Sequence, residues 1–235
     1  GTVIGALLGL YLSNFRILSI AFLVGAIAFG FLYNHSSKFM PYAGPFWITI
    51  SFTCIPLFSY FSVSDAWTLP LLFVVKYTFV LMLVQIRVEG YLKDINVPQA
   101  NIFFKLGTKM KDGWIRHSFK SRLYMGKLVA LKIIIMGIFI YYTIWQWNLV
   151  QISIWALLLM ILIDLSYEFG KDRKFDNATI VRECALIEIT TYLLLITCLW
   201  CVIGWQWYLF LFCYPLAWFI AFNRVTWGTT IRPRV

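Results

Sequence analysis

Charge is scarce in this chain. Only 13% of its 235 residues are Asp, Glu, Lys or Arg, while 61% are hydrophobic; a soluble domain carries about a quarter charged and about half apolar residues. That shortage excludes an ordinary water-soluble fold. Also lacking is the apolar–polar alternation over segments of ~10 residues that marks a transmembrane barrel strand. The apolar runs are instead continuous and long enough for membrane-spanning helices. The expected class is therefore all-α: a polytopic transmembrane helical bundle forming a single domain over residues 1–235. Five cysteines lie in or beside the apolar runs, and no second Cys/His pair follows Cys198-Leu-Trp-Cys201. That motif reads as small packing residues rather than a zinc or redox site. His35 and His117 are too isolated for a metal or triad assignment. No signal-peptide pattern is present, and the opening GTVIGALLGLYLS reads as the second part of a span already under way.

Polar breaks divide the chain into about eight spans, a partial one at 1–13 and full ones at 17–33, 45–63, 69–87, 125–145, 150–167, 184–203 and 205–222, with a tight Ile203-Gly204-Trp205 turn between the last two. The larger loops fall at 34–44, 88–124 and 168–183. The long loop with its flanks carries nine basic residues, loop 168–183 four, the tail three and loop 34–44 one; together these are seventeen of the twenty. The opposite side holds only Arg16. By the positive-inside rule the basic loops and the C-terminus are expected to be cytoplasmic. The net charge of +10 then needs no nucleic acid, because topology and attraction to anionic lipid head groups account for it. Two lysines fall within spans. Lys132 is expected to snorkel to the cytoplasmic surface, whereas Lys76 lies too deep for that and is expected to pair with a carboxylate or an amphiphile head group. Residues 105–127, where FFKLGTKMKDGWIRHSF mixes aromatics with positive charge, are expected on the membrane surface, with a lid over a phosphate site as the alternative. Trp200, Trp205, Trp207 and Trp227 suit an aromatic belt.

Of ten carboxylates, Asp65 alone is expected on the outer side. Two groups close spans on the basic side: QIRVEGYLKDINVP (85–98) and IDLSYEFGKDRKFD (163–176). Asp164, Glu168 and Asp172 would share one face if the helix continued past Gly170. Such a face suits Mg²⁺, which takes one or two carboxylates while phosphates and water complete its shell. Interleaved Lys and Arg suit phosphate oxygens. The plainer reading, strongest for Asp172 and Asp176, is a solvated helix end.

The run LLGLYLSNFRILSIAFLVGAIAFGFLYNHSSKF…GPFWITISF resembles the middle of UbiA-type intramembrane prenyltransferases. VEGYLKDINVPQANIFFKLGTK is similar to that family's second aspartate-rich motif, with LKD (92–94) and KLG (105–107) in the matching places. EFGKDRK (168–174) resembles a later family turn, and KFDNATIVRECALIEITTYLLLITCL the approach to the last shared span. The family's first motif, NDxxDxxxD, is absent from these residues and is expected upstream if the enzyme reading holds.

This resemblance implies a UbiA-like bundle that transfers a polyprenyl group from a prenyl diphosphate to a lipophilic acceptor with Mg²⁺. It implies catalytic roles for Asp94 and Asp164, metal ligation by Glu89, Asp94, Asp164, Glu168 and Asp172, and substrate binding by Arg87, Lys93, Lys171 and Arg173. Expected partners are membrane lipids, prenyl diphosphate and acceptor, with no nucleic acid. The alternative is a non-catalytic UbiA-like subunit binding lipid, quinone or pigment beside other membrane subunits, which the absent first motif favours. A transporter would show paired Gly/Pro-broken midplane helices, of which the spans have few. A CDP-alcohol phosphotransferase would carry a DxxDGxxAR pattern, which does not occur.

Overall fold

A computed structural model describes residues 10, 11, 16–36, 44–93 and 102–227, with side chains except at 36, 85–93, 177, 178, 181, 215, 216, 218, 219, 222, 223 and 225–227. The chain divides into two compact units, Gly1–Ile102 and Phe103–Val235. Among the described residues, five helical stretches are long and apolar enough to cross a membrane: Ile17–His35, Gly44–Phe61, Phe119–Gln146, Leu149–Phe169 and Arg182–Tyr214. The described chain is thus mostly helical and of integral-membrane character, and many of its large apolar side chains point outward, among them Ile27, Ile134, Ile138 and Met160. Such exposure suits contact with lipid rather than water. Most of the expected span 1–13 lies outside the described residues.

The first unit contains α1 (Ile17–Ser36), α2 (Gly44–Phe61) and α3 (Leu69–Lys93), packed in sequence. Within the described side chains of α3, Leu69–Val84 forms a shorter apolar stretch. Helices in lipid have little hydrophobic force between them, so small residues that permit close approach carry the contact. Gly25 and Gly30 face α2 closely enough that an added Cβ would lie 3.3 Å from Cys54 Sγ and Ser51 Oγ, respectively. Ser51 Oγ donates to Ala26 O at 2.6 Å, and Ser19 meets Ser62 hydroxyl to hydroxyl at 2.9 Å. Phe22 stacks on the fully buried Phe61 with ring centroids 5.5 Å apart. At the end of this unit, Arg16 pairs with Asp65 at 3.2 Å. These two charges were expected together on the weakly charged side.

The second unit begins within the short helix α4 (Ile102–Lys105), which is followed by β1 (Lys109–Lys111) and β2 (Trp114–Arg116). Then come α5 (Phe119–Thr143), a 3₁₀ turn at Ile144–Gln146, α6 (Leu149–Phe169), β3 (Arg173–Lys174) and α7 (Asn177–Trp227). Caps fix the helix starts: Ser118 Oγ accepts from Ser121 N at 3.1 Å, and Asn148 Oδ1 from Gln151 N at 2.8 Å. The predicted tight turn inside the last long apolar run is a single residue. Gly204 takes φ 78°, ψ 161°, a combination essentially confined to glycine. The second arm of α7 returns along the first: Tyr192 Oη donates to Leu211 O at 2.6 Å, and Trp200 stacks on Tyr208 at 4.3 Å. Of the expected belt residues, Trp205 and Trp207 near the Gly204 break are largely exposed, Trp200 is half-buried against Tyr208, and the Trp227 side chain lies outside the described set.

The small sheet departs from a purely helical expectation. Asp112 and Gly113 both take positive φ, 53° and 74°, making the two-residue loop that joins β1 to β2 in the manner of an Asp-Gly hairpin. β3 adds antiparallel to β2, pairing Trp114 with Lys174 and Ile115 with Arg173. Segment 105–127 thus contains a hairpin between the end of α4 and the start of α5.

Candidate functional site

In the second unit the β2–α5 junction meets the α6–β3–α7 junction through charge. Helix α6 ends at Phe169 with Gly170 as its cap, so Asp172 leaves the face that holds Asp164 and Glu168. Free of the helix, Asp172 accepts from the His117 backbone N–H and from Arg122, both at 2.8 Å. These contacts, the backbone N–H first, hold its carboxyl below the ordinary range. Arg173 pairs with Glu183 of α7, donates to Phe169 O at 3.3 Å and lies over the Phe169 ring. Glu168 pairs with Lys171, a hydrogen bond that raises the lysine, and Lys171 also covers the Tyr167 ring at 4.6 Å.

His117 is the buried member of this cluster. Its Nδ1 lies 3.2 Å from Ser121 Oγ and 3.4 Å from Thr108 Oγ1, and Thr108 donates to Ser121 at 2.9 Å. Burial pushes the imidazole down to about 4; Asp172 opposes that shift, while Arg122 and Arg173 reinforce it. His117 is thus a neutral structural link at ordinary pH. Its isolation in sequence concealed this, because Thr108 and Asp172 reach it only through the hairpin and the turn after α6.

Below the charged end, polar groups continue into the bundle. Lys132 lies ten residues beyond Arg122, about 15 Å along the helix. It is only 3% exposed, and its Nζ donates to Thr191 Oγ1 of α7 at 3.4 Å. The expected snorkelling does not occur, because α5 begins at Phe119 and sets Lys132 about two turns deeper than a span starting at 125. Nearer the opposite end, Gln151 Nε2 donates to Thr197 O at 2.8 Å, a cross-helix bond of the kind that joins membrane helices. Lys76 is exposed on α3 within its own unit and forms no ion pair among the described residues.

A buried ammonium that loses its acceptor costs ~1–3 kcal/mol, whereas replacing it by an apolar side chain of similar length is close to neutral. Thr191→Val is therefore expected to lower the melting temperature in detergent, and Lys132→Met to be tolerated. The valine change should then cost little in the K132M background. Equal losses in both backgrounds would show that this bond is not what Thr191 contributes.

The sites expected from sequence fall into three groups. Asp164 and Glu168 stand one turn apart at the end of α6, both exposed, with Lys171 beside Glu168. Asp172 and Arg173 are engaged in separate ion pairs. Arg87, Glu89 and Lys93 lie on α3 with side chains outside the described set, and Asp94 lies outside the described residues altogether. Two carboxylates one turn apart are a donor set that suits Mg²⁺, which needs few protein ligands when phosphate oxygens complete its shell. One oxygen of Asp172, Oδ1, already takes an N–H and a guanidinium. Among the described residues no group of three His, Cys, Asp or Glu side chains gathers as a metal cluster. Comparison with protein-family models, curated proteins and solved structures finds no match.

Proposed function

We propose that this chain is a UbiA-like membrane prenyltransferase that handles a prenyl diphosphate at the charged helix ends on its cytoplasmic side. The observation that carries this reading is the Asp164–Glu168 pair at the end of an apolar span, with Lys171 alongside. Those two carboxylates would hold Mg²⁺, and Lys171 would face the diphosphate oxygens. A metal held by those two carboxylates would supply charge neutralisation for a diphosphate leaving group. The resemblance adds Glu89 and Asp94 as ligands and Arg87 and Lys93 as substrate contacts; a lipophilic acceptor would complete the transfer.

Mg²⁺-dependent binding of geranylgeranyl diphosphate to the purified protein tests this. Asp94→Ala and Asp164→Ala are each expected to weaken binding at least tenfold, and indifference to both substitutions would remove the site assignment. The engagement of Asp172 and Glu183 by arginines favours a second reading, a non-catalytic subunit that binds a lipid, quinone or pigment within a larger membrane complex. Retention of a lipid through purification, with no Mg²⁺-dependent diphosphate binding, would support that one.

A further inference from the structure

The three-stranded sheet brings together basic residues that are scattered in sequence. Directly opposed residues in an antiparallel pair share a face. The register sets Lys109 opposite Arg116 and Lys111 opposite Trp114, while Trp114 in turn opposes Lys174. Four cations and one indole therefore occupy one face. All five are exposed, Trp114 at 46%. The other face carries Met110, Ile115 and Arg173, with Ile115 buried and Arg173 held by Glu183. None of the four outer cations joins an ion pair among the described residues.

Two features point to an anionic partner. Like charges directly opposed across strands are destabilising, and Lys109 against Arg116 is such a pair, so an anion placed over it relieves a cost already present in the fold. The sheet is also tied closely to membrane-crossing helices: β2 ends three residues before Phe119, and β3 begins four residues after Phe169. At that distance from the span ends the nearest large anionic surface is the head-group layer, where tryptophan is itself enriched.

We propose that this sheet face docks onto the anionic phospholipid head groups around the ends of α5 and α6, with Lys109, Lys111, Arg116 and Lys174 taking the phosphates and Trp114 entering the interface. A juxtamembrane cation near such a surface contributes ~1 kcal/mol, equivalent to roughly fivefold in an equilibrium. The contact is independent of diphosphate chemistry, so it stands or falls apart from the prenyltransferase reading.

Hydrogen exchange of the 108–117 segment tests it, with the full chain in nanodiscs of phosphatidylcholine alone or with 30% phosphatidylglycerol. Exchange is expected to slow at least ~5-fold with the anionic lipid and to recover in 0.5 M NaCl, while segments inside α6 stay unchanged. The K109Q/K111Q/R116Q/K174Q variant should show no lipid dependence. If that variant loses its hairpin, the lipid and salt responses of the unmodified protein decide the matter alone. Identical exchange in both lipids would overturn the proposal. So would slowing by an added single-stranded oligonucleotide but not by phosphatidylglycerol, which would assign the face to a soluble polyanion.

Discussion

Glu183→Ala is expected to destabilise the second unit by ~2–3 kcal/mol, below the ~3–5 kcal/mol seen when a fully buried ion pair loses one partner. The Arg173 and Glu183 side chains are 19% and 17% exposed, so the guanidinium left behind cannot be well solvated. Arg173 also holds Phe169 O at the end of α6, and its displacement would loosen the joint between α6, β3 and α7. At ~2–4 °C per kcal/mol for a chain of this size, the melting temperature in detergent should fall by roughly 4–12 °C. Replacing both partners, as in R173M/E183M, should recover most of the loss, because a well-packed apolar pair avoids the desolvation cost. A single substitution without effect, or a double variant no better than the single, would show that this pair does not hold the joint.

The second large effect is acid sensitivity centred on His117. Its native pKa of about 4 lies below the ordinary 6.5, so the unfolded chain binds the proton more readily. Stability is therefore complete above about pH 6.5 and declines as the pH falls toward 4. Each unit of difference corresponds to ~1.4 kcal/mol, giving on the order of 3 kcal/mol across that window. Asp172, whose carboxyl is lowered by the His117 N–H and Arg122, adds a smaller loss in the same direction at still lower pH. Melting at pH 7, 5.5 and 4.5 should show this decline in the natural protein and a flatter profile in His117→Asn, which keeps the backbone N–H that Asp172 accepts. Parallel profiles would assign the acid sensitivity elsewhere.

Much of the architecture was legible because membrane-spanning helices are written in long apolar runs. The spans at 17–33, 45–63 and 150–167 each correspond to a helix of nearly the same length. The start of α5 was misjudged by six residues because FKSRLY is polar enough to read as loop; Ser118 caps it, and the helix begins there. That shift moved Lys132 from the surface into the interior. The hairpin had a local signal, Asp112-Gly113 between two short runs, which was masked by the surrounding basic and aromatic residues.

The candidate site was legible only in part. Asp164 and Glu168 are four residues apart on one helix, a relation that sequence spacing expresses directly. The fate of Asp172 depended on Gly170 ending the helix and on Arg122 and His117 arriving from about fifty positions earlier.

By itself the sequence determined that this is a helical membrane protein, how its apolar helices are bounded, and where its charges are spent. Those are properties of local composition and period, which need no distant partner. Only the tertiary structure decided that Lys132 meets Thr191, that Arg173 meets Glu183, and that four scattered cations share one face of a sheet. Each of these depends on strand register or helix packing between residues far apart along the chain, and local periodicity carries no information about such pairings.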